Sequence, residues 1–148
     1  MAGAFYNPDM ETSKPFLRWF PAILMMAAIF AFSSMPSTSL PSFSYADLLV
    51  KKGAHMLGYG LLAMSYFYGF GGIPGRNAGE FGKMKTAFAP VVLAWFLAVL
   101  YALTDEFHQS FVLGRHASLV DVGVDAVGAA GMLWIYNLWQ NRKAERTI

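Results

Sequence analysis

Four stretches of nearly unbroken apolar positions, each closed by proline, glycine or a burst of charge, set the pattern of this chain. The first contains "WFPAILMMAAIFAFSS" and lies in a segment, Trp19 to Ala46, without a charged side chain. Pro36 and Pro41 end it, because proline lacks the amide donor and clashes with the preceding turn. The second reads "GAHMLGYGLLAMSYFYGFGG", and its last four residues before the turn-rich "GGIPGRNAGEFGK" read as a helix terminator. The third, "TAFAPVVLAWFLAVLYALT", is uncharged from Thr86 to Thr104. The fourth, "LVDVGVDAVGAAGMLWIYNLW", has two aspartates in its first turns and closes on Trp134, Tyr136 and Trp139, residues suited to a membrane interface. A bilayer core of about 30 Å takes roughly 20 apolar residues per helix. The predicted spans are therefore about 17–35, 53–72, 86–105 and 119–139.

One competing reading concerns the start of the chain. Lys14 and Arg18, a short apolar core and "AFS" have the order of a signal peptide with a cleavage site. Asp9 and Glu11 argue against it, and its removal would leave an odd number of spans. With four spans, both termini share a side with the loop between spans two and three. That side holds Lys14, Arg18, Arg76, Lys83, Lys85, Arg142, Lys143 and Arg146, against Lys51, Lys52 and Arg115 on the other. The excess of basic residues predicts cytoplasmic N and C termini.

Composition agrees with a membrane setting. Hydrophobic residues make up 56% of the 148 and charged residues 14%, against roughly 45–50% and about 25% in soluble domains. A net charge of +2, scattered along the chain, excludes a nucleic-acid footprint, which needs basic residues gathered on one surface. Without cysteine there is no disulfide, thiolate nucleophile or cysteine metal site.

Against this apolar background the stretch "YALTDEFHQSFVLGRHASLVDVGVD" packs four carboxylates, two histidines, a glutamine and an arginine into a few turns. Residues three and four apart share a helix face. Lys52, His55 and Tyr59 thus form one stripe at the start of span two. Tyr101, Asp105 and His108 form another at the end of span three, with Glu106 and Gln109 beside them, and Asp121, Asp125 and Gly128 form a third at the start of span four. Three stripes are aimed at one depth, on the outer side. Ionisable groups in a membrane cost around 2.5–3.5 kcal/mol each at the helix centre on insertion scales, so they pair with one another or line a wet cavity. One reading is structural: Lys52 or Arg115 pairs with Asp105 or Asp121 to pin the helices. The other is a pocket, favoured because the polar groups outnumber what packing four helices requires.

Familiar mechanisms are mostly absent. No H-E-x-x-H zinc motif occurs, and the only histidine-rich route to a metal would join His55, Asp105 and His108 across helices. Neutral histidines bonded to carboxylates explain the same residues without an ion. His116 and Asp121 have the H-x-x-x-x-D spacing of acyltransferases, which chance supplies readily; there is no Gly-x-Ser-x-Gly elbow and no phosphate loop. An anionic amphiphile remains, with Lys52 and Arg115 as its phosphate or carboxylate contacts. Asp105, Glu106 and His108 are then the acid/base candidates, and Tyr59 and Gln109 orient the head group. The stretch "GAAG", Gly128 to Gly131, with Ala126 and Ala130, reads as a close-packing surface.

The chain resembles the VanZ-like family of small integral membrane proteins, whose founding members are linked to teicoplanin resistance. The resemblance rests on "SSMP" at the end of span one, "KKGAHMLGY" with Lys52, His55 and Tyr59, "DEFHQSFVLGR" with Asp105, Glu106, His108, Gln109 and Arg115, and "SLVDVGVDAVGAAG" with Ser118, Asp121 and Gly128. Two positions depart from the family pattern: Lys51 stands where an aspartate is usual, and Asp125 where an asparagine is usual. The resemblance implies a four-helix membrane domain and supplies no settled reaction.

The combined expectation is an all-α, four-helix transmembrane bundle forming one VanZ-like domain over residues 1–148, multi-pass in the cell membrane. An outer-leaflet pocket of Lys52, His55, Tyr59, Gln109, Arg115, Asp121 and Asp125 binds, and in the fullest form of the reading modifies, a lipid-linked or cell-wall precursor. The alternative is a non-enzymatic structural or partner-binding membrane subunit. The expected partners are membrane lipids, with no nucleic acid, and the residues name no cofactor.

Overall fold

The computed structural model describes residues 15–36, 44–72 and 88–146. Within them the chain is helical: a short 3-10 turn at Pro15–Trp19, then α1 (Phe20–Ser33), α2 (Ser44–Gly69), α3 (Phe88–Gln109) and α4 (Leu119–Glu145). Lys14, Pro41, Arg76, Lys83 and Lys85, and with them most of the expected cytoplasmic loop, lie outside the described residues.

Local chemistry sets the helix ends. Pro21 stands in the first turn of α1, where its missing N–H is not needed. At the end of α2, Gly71 takes φ 76°, the Gly72 N–H bonds the Phe67 carbonyl and the Gly71 N–H bonds that of Tyr68, both at 2.9 Å. This is a Schellman cap, and glycine is needed at the left-handed position. The α3–α4 connection contains a tight turn, Val112 to Arg115, closed by the Arg115 N–H on the Val112 carbonyl at 3.1 Å. Gly114, at φ 76°, provides the left-handed third residue that a type II turn demands.

α2 is the central element, packing against α1, α3 and α4, while α1 meets α3 only slightly and does not reach α4 among the described residues. Large side chains of α2 (Tyr59, Leu62, Tyr66 and Phe67) fill the interior against a line of small ones on α3: Ala94, Ala98 and Ala102. α4 adds Val122, Ala129 and Leu133. The closest approach joins α2 to α4. A β-carbon at Gly128 would stand 2.2 Å from the Met56 carbonyl oxygen, and one at Gly60 3.2 Å from the Gly128 carbonyl. The packing role expected of "GAAG" thus falls on Gly128, since Gly131 faces open space.

The outside of the molecule is apolar all along its length. Phe16, Leu24, Phe32, Leu61, Phe96, Leu103, Val127, Ile135 and Trp139 are among the exposed large side chains. Among the described residues three helices are long and apolar enough to cross a membrane: Phe16–Ser33, Ala89–Gln109 and Leu119–Glu145. Of the four expected spans, three meet length and apolarity together among the described residues, and α2 is the fourth helix. α2 has the length, since its 26 residues extend about 39 Å. Its sequence mixes tyrosines, glycines and a histidine with the apolar residues, and of these Tyr59 and Tyr66 are buried in the interior.

Candidate functional site

The polar stripes meet where α1 and α3 end and α4 begins. Two clusters form there, one on each side of α3.

The first is a closed network. Asp105 is buried; its Oδ1 accepts from Ser33 Oγ at 2.5 Å and its Oδ2 from Gln109 Nε2 at 2.9 Å. Gln109 Oε1 accepts in turn from Arg115 Nη1 at 2.9 Å. The guanidinium continues to the end of α1: Nε donates to the Met35 carbonyl at 3.1 Å and Nη2 to that of Phe32 at 3.2 Å. Arg115 thereby caps a helix terminus whose carbonyls have no intrahelical partner. It joins the α3–α4 turn to α1 and pairs with no carboxylate among the described residues. Lysine, a point donor, could not span these three acceptors.

His108 faces the same side. Its Nε2 lies 3.2 Å from Ser34 Oγ and its ring 4.6 Å from that of Phe30. The Ser34 hydroxyl gives its proton to the Phe30 carbonyl at 2.6 Å, so the imidazole must be the donor to Ser34. The expected grouping of Asp105 with His108 therefore divides: Asp105 bonds Gln109, four residues on, and His108 turns toward α1. Tyr101 also binds α1, its hydroxyl donating to the Met26 carbonyl at 2.7 Å.

The second cluster lines a cavity of about 170 Å³ between α2, α3 and α4, bounded by Lys51, Lys52, His55, Glu106, Gln109, Arg115, Asp121, Val124 and Asp125. At its rim Lys52 Nζ meets Asp121 Oδ1 at 2.5 Å, with side chains 39% and 36% exposed. One turn deeper, His55 Nδ1 faces Asp125 Oδ2 at 3.9 Å, with side chains 30% and 2% exposed. Asp125 Oδ1 is buried and has no hydrogen-bond partner among the described residues. Glu106 is buried and its Oε2 accepts the Ser118 N–H at 2.8 Å, fixing the start of α4. Tyr59 is buried under His55, ring centroids 6.3 Å apart, and its hydroxyl lies near Asp105 without closing a hydrogen bond.

The stripe of Lys52 and His55 on α2 and that of Asp121 and Asp125 on α4 thus face each other rung by rung. Of the acid/base candidates, only Glu106 touches the cavity; Asp105 and His108 belong to the network on the α1 side. The three residues considered for a metal, His55, Asp105 and His108, are spread over both clusters, and no three His, Asp or Glu side chains among the described residues gather as metal ligands.

Three participants were not singled out as site residues in the sequence: Ser33 and Ser34, which bond Asp105 and His108, and Lys51 at the rim. The serines had a signal. They are the first hydroxyls after a long apolar run and end a helix opposite a polar cluster that needs donors.

Comparison with known proteins agrees with this architecture: the family model described as VanZ/LLP1 matches residues 10–140. No curated protein and no solved structure matches the chain.

Proposed function

Starting from a chain that belongs to the VanZ/LLP1 family and is a VanZ-like multi-pass membrane protein, we propose that it binds the polar head of a lipid-linked or cell-wall precursor in the cavity between α2, α3 and α4. In this reading residues 1–148 form one domain with four crossings in the cell membrane. Both termini are cytoplasmic and the cavity opens in the outer leaflet. The excess of lysine and arginine at the termini and in the loop between α2 and α3 supports that orientation. Altered glycopeptide susceptibility, by analogy with the founding members of the family, is the physiological outcome that such binding would have.

The observation that carries the reading is the gradient within the cavity. Two lysines lie at a partly exposed rim, and a carboxylate with an unpartnered oxygen lies at a buried floor. An unpaired buried polar atom destabilises the fold, so a carboxylate oxygen left without a partner beside the cavity supports a role beyond packing. Binding sites retain such groups because the ligand completes them. The lysines take the phosphate as point charges. Glu106 and the His55–Asp125 pair are the groups within the cavity able to move a proton if the head group is modified.

A structural reading has its own support in the Asp105–Gln109–Arg115 network, whose groups bond other parts of the chain. It fits the α1 side of α3. The two readings separate by experiment. Farnesyl phosphate is titrated into the detergent-solubilised protein and into Lys52→Met, with binding read by native mass spectrometry. Binding weakened about tenfold in a variant that melts as the parent does supports the pocket, the change corresponding to one lost charge-assisted contact. Equal binding in both forms, or none in either, would remove it.

A further inference from the structure

The nine residues that join α3 to α4, 110–118, turn polar groups inward and apolar side chains outward. The Ser110, Phe111, Val112 and Arg115 amides bond carbonyls of the chain, and the Ser118 amide bonds Glu106 Oε2. The Ser110 hydroxyl returns to the Phe107 carbonyl at 2.6 Å, and the Arg115 guanidinium is engaged by Gln109 and the end of α1. Facing out instead are Phe111 and Leu113, 74% and 80% exposed. In water such amides can bond solvent and such side chains are unfavourable to expose. Beside lipid the amides must be met within the chain, and apolar side chains are favoured.

We infer that residues 110–118 form an interfacial segment, which seats Phe111 and Leu113 among the lipid chains at the head-group boundary. Two further observations place it there. The stripe Phe96, Leu100, Leu103 and Phe107, exposed at helical spacing along α3, runs on into Phe111, whose ring meets that of Phe107 edge-on at 5.2 Å. This continuity with the apolar side of a spanning-type helix selects lipid over a second copy of the chain as the cover. Depth agrees: from Leu119 to Trp139 α4 rises about 30 Å, the thickness of a bilayer core. With Trp139 at one interface, the connection begins where the hydrocarbon ends at the other, and the cavity rim at Asp121 lies on the hydrocarbon side of it. His116, exposed in the same segment, sets the level at the head groups rather than deeper. The placement needs no ligand in the cavity, so it stands or falls apart from the head-group reading.

The chain has no cysteine, so a single introduced thiol takes a fluorescent label cleanly. The environment-sensitive fluorophore NBD is attached in the full-length protein at Leu113→Cys, at Phe111→Cys and, as the water-facing reference, at Arg146→Cys. Each is reconstituted in phosphatidylcholine vesicles, either with iodide on both faces or with phosphatidylcholine spin-labelled near the head of its acyl chain. Labels at 111 and 113 should lose fluorescence to the spin-labelled lipid and stay shielded from iodide, with emission shifted to the blue. The label at 146 should show the reverse. Iodide quenching at 111 or 113 equal to that at 146 overturns the inference, because the connection then lies in water. Shielding from both quenchers overturns it too, because protein and not lipid then covers the segment. The unsubstituted chain, which needs no variant to fold, is tested with phosphatidylcholine bearing a photoreactive diazirine on its acyl chain. Crosslinks should map to Phe111 or Leu113, and their confinement to the helices would likewise overturn the placement.

Discussion

Asp105 and Asp125 are buried carboxylates on neighbouring helices with opposite hydrogen-bonding states: both oxygens of Asp105 are filled, and one of Asp125 is empty. Substitution should therefore affect them differently. Asp105→Ala leaves the Gln109 amide without its acceptor, while Ser33 Oγ keeps the Phe30 carbonyl at 3.1 Å, and a buried unpaired group costs about 1–3 kcal/mol. A clear fall in melting temperature in detergent is expected. Asp125→Asn removes a buried carboxylate whose Oδ1 has no partner among the described residues and whose Oδ2 faces His55 only at 3.9 Å, and its melting temperature should fall less than that of Asp105→Ala. Arg115→Lys should destabilise by about 1–2 kcal/mol, because an ammonium cannot bridge Gln109 and two α1 carbonyls at once. The same melting experiment checks it, and a variant as stable as the parent would show that the cap on α1 contributes nothing. Such pairwise detail was only partly legible beforehand. The sequence names the polar residues of α3, but whether Asp105 bonds His108 or Gln109 depends on where α1 delivers Ser33 and Ser34.

At the scale of elements, the α2–α4 crossing decides the geometry of the cavity, because Lys52 and His55 meet Asp121 and Asp125 only if the two backbones come close. Gly128 permits this: a β-carbon there meets backbone, the Met56 carbonyl, at 2.2 Å, and backbone cannot rotate away as a side chain can. Gly128→Ala should force the helices apart, costing about 2 kcal/mol or more, and should also weaken farnesyl phosphate binding. Gly123→Ala, on the same helix with nothing within 4 Å, should be neutral or stabilise by up to about 1 kcal/mol through helix propensity. Melting temperatures of the two variants side by side provide the check, and equal losses would contradict the crossing. The small residues of "GAAG" pointed to close packing in the sequence. That the contact falls on Gly128 and not Gly131 follows from the angular position of each on α4 relative to α2.

For the whole molecule, the exposed apolar surface must be covered, and the family and the three spanning-type helices make lipid the cover. The protein should stay in the membrane pellet through an alkaline carbonate wash and enter solution only with detergent. The proposed orientation makes a further expectation: a fluorescent-protein fusion at the C terminus should fluoresce and a periplasm-dependent phosphatase fusion there should be inactive. The reverse pattern would place the cavity on the cytoplasmic side. Trp139 lies at the same end as the basic tail, with Lys143 5.1 Å over its ring, an arrangement suited to an interface.

By itself the sequence determined the helical class, the apolar stretches and the convergence of the polar residues, because these follow from local periodicity and from the cost of charge in lipid. It also carried the family, through blocks such as "DEFHQSFVLGR". It did not reveal that α2 is the central helix, packed against the other three with Tyr59 and Tyr66 buried, because hydropathy along the chain does not say which helix the others surround. Only the tertiary structure separated the polar residues into a satisfied network beside α1 and a cavity between α2, α3 and α4. The reason is physical: sequence fixes which groups need partners, but hydrogen bonds form over about 3 Å, and that distance is decided by how the helices cross.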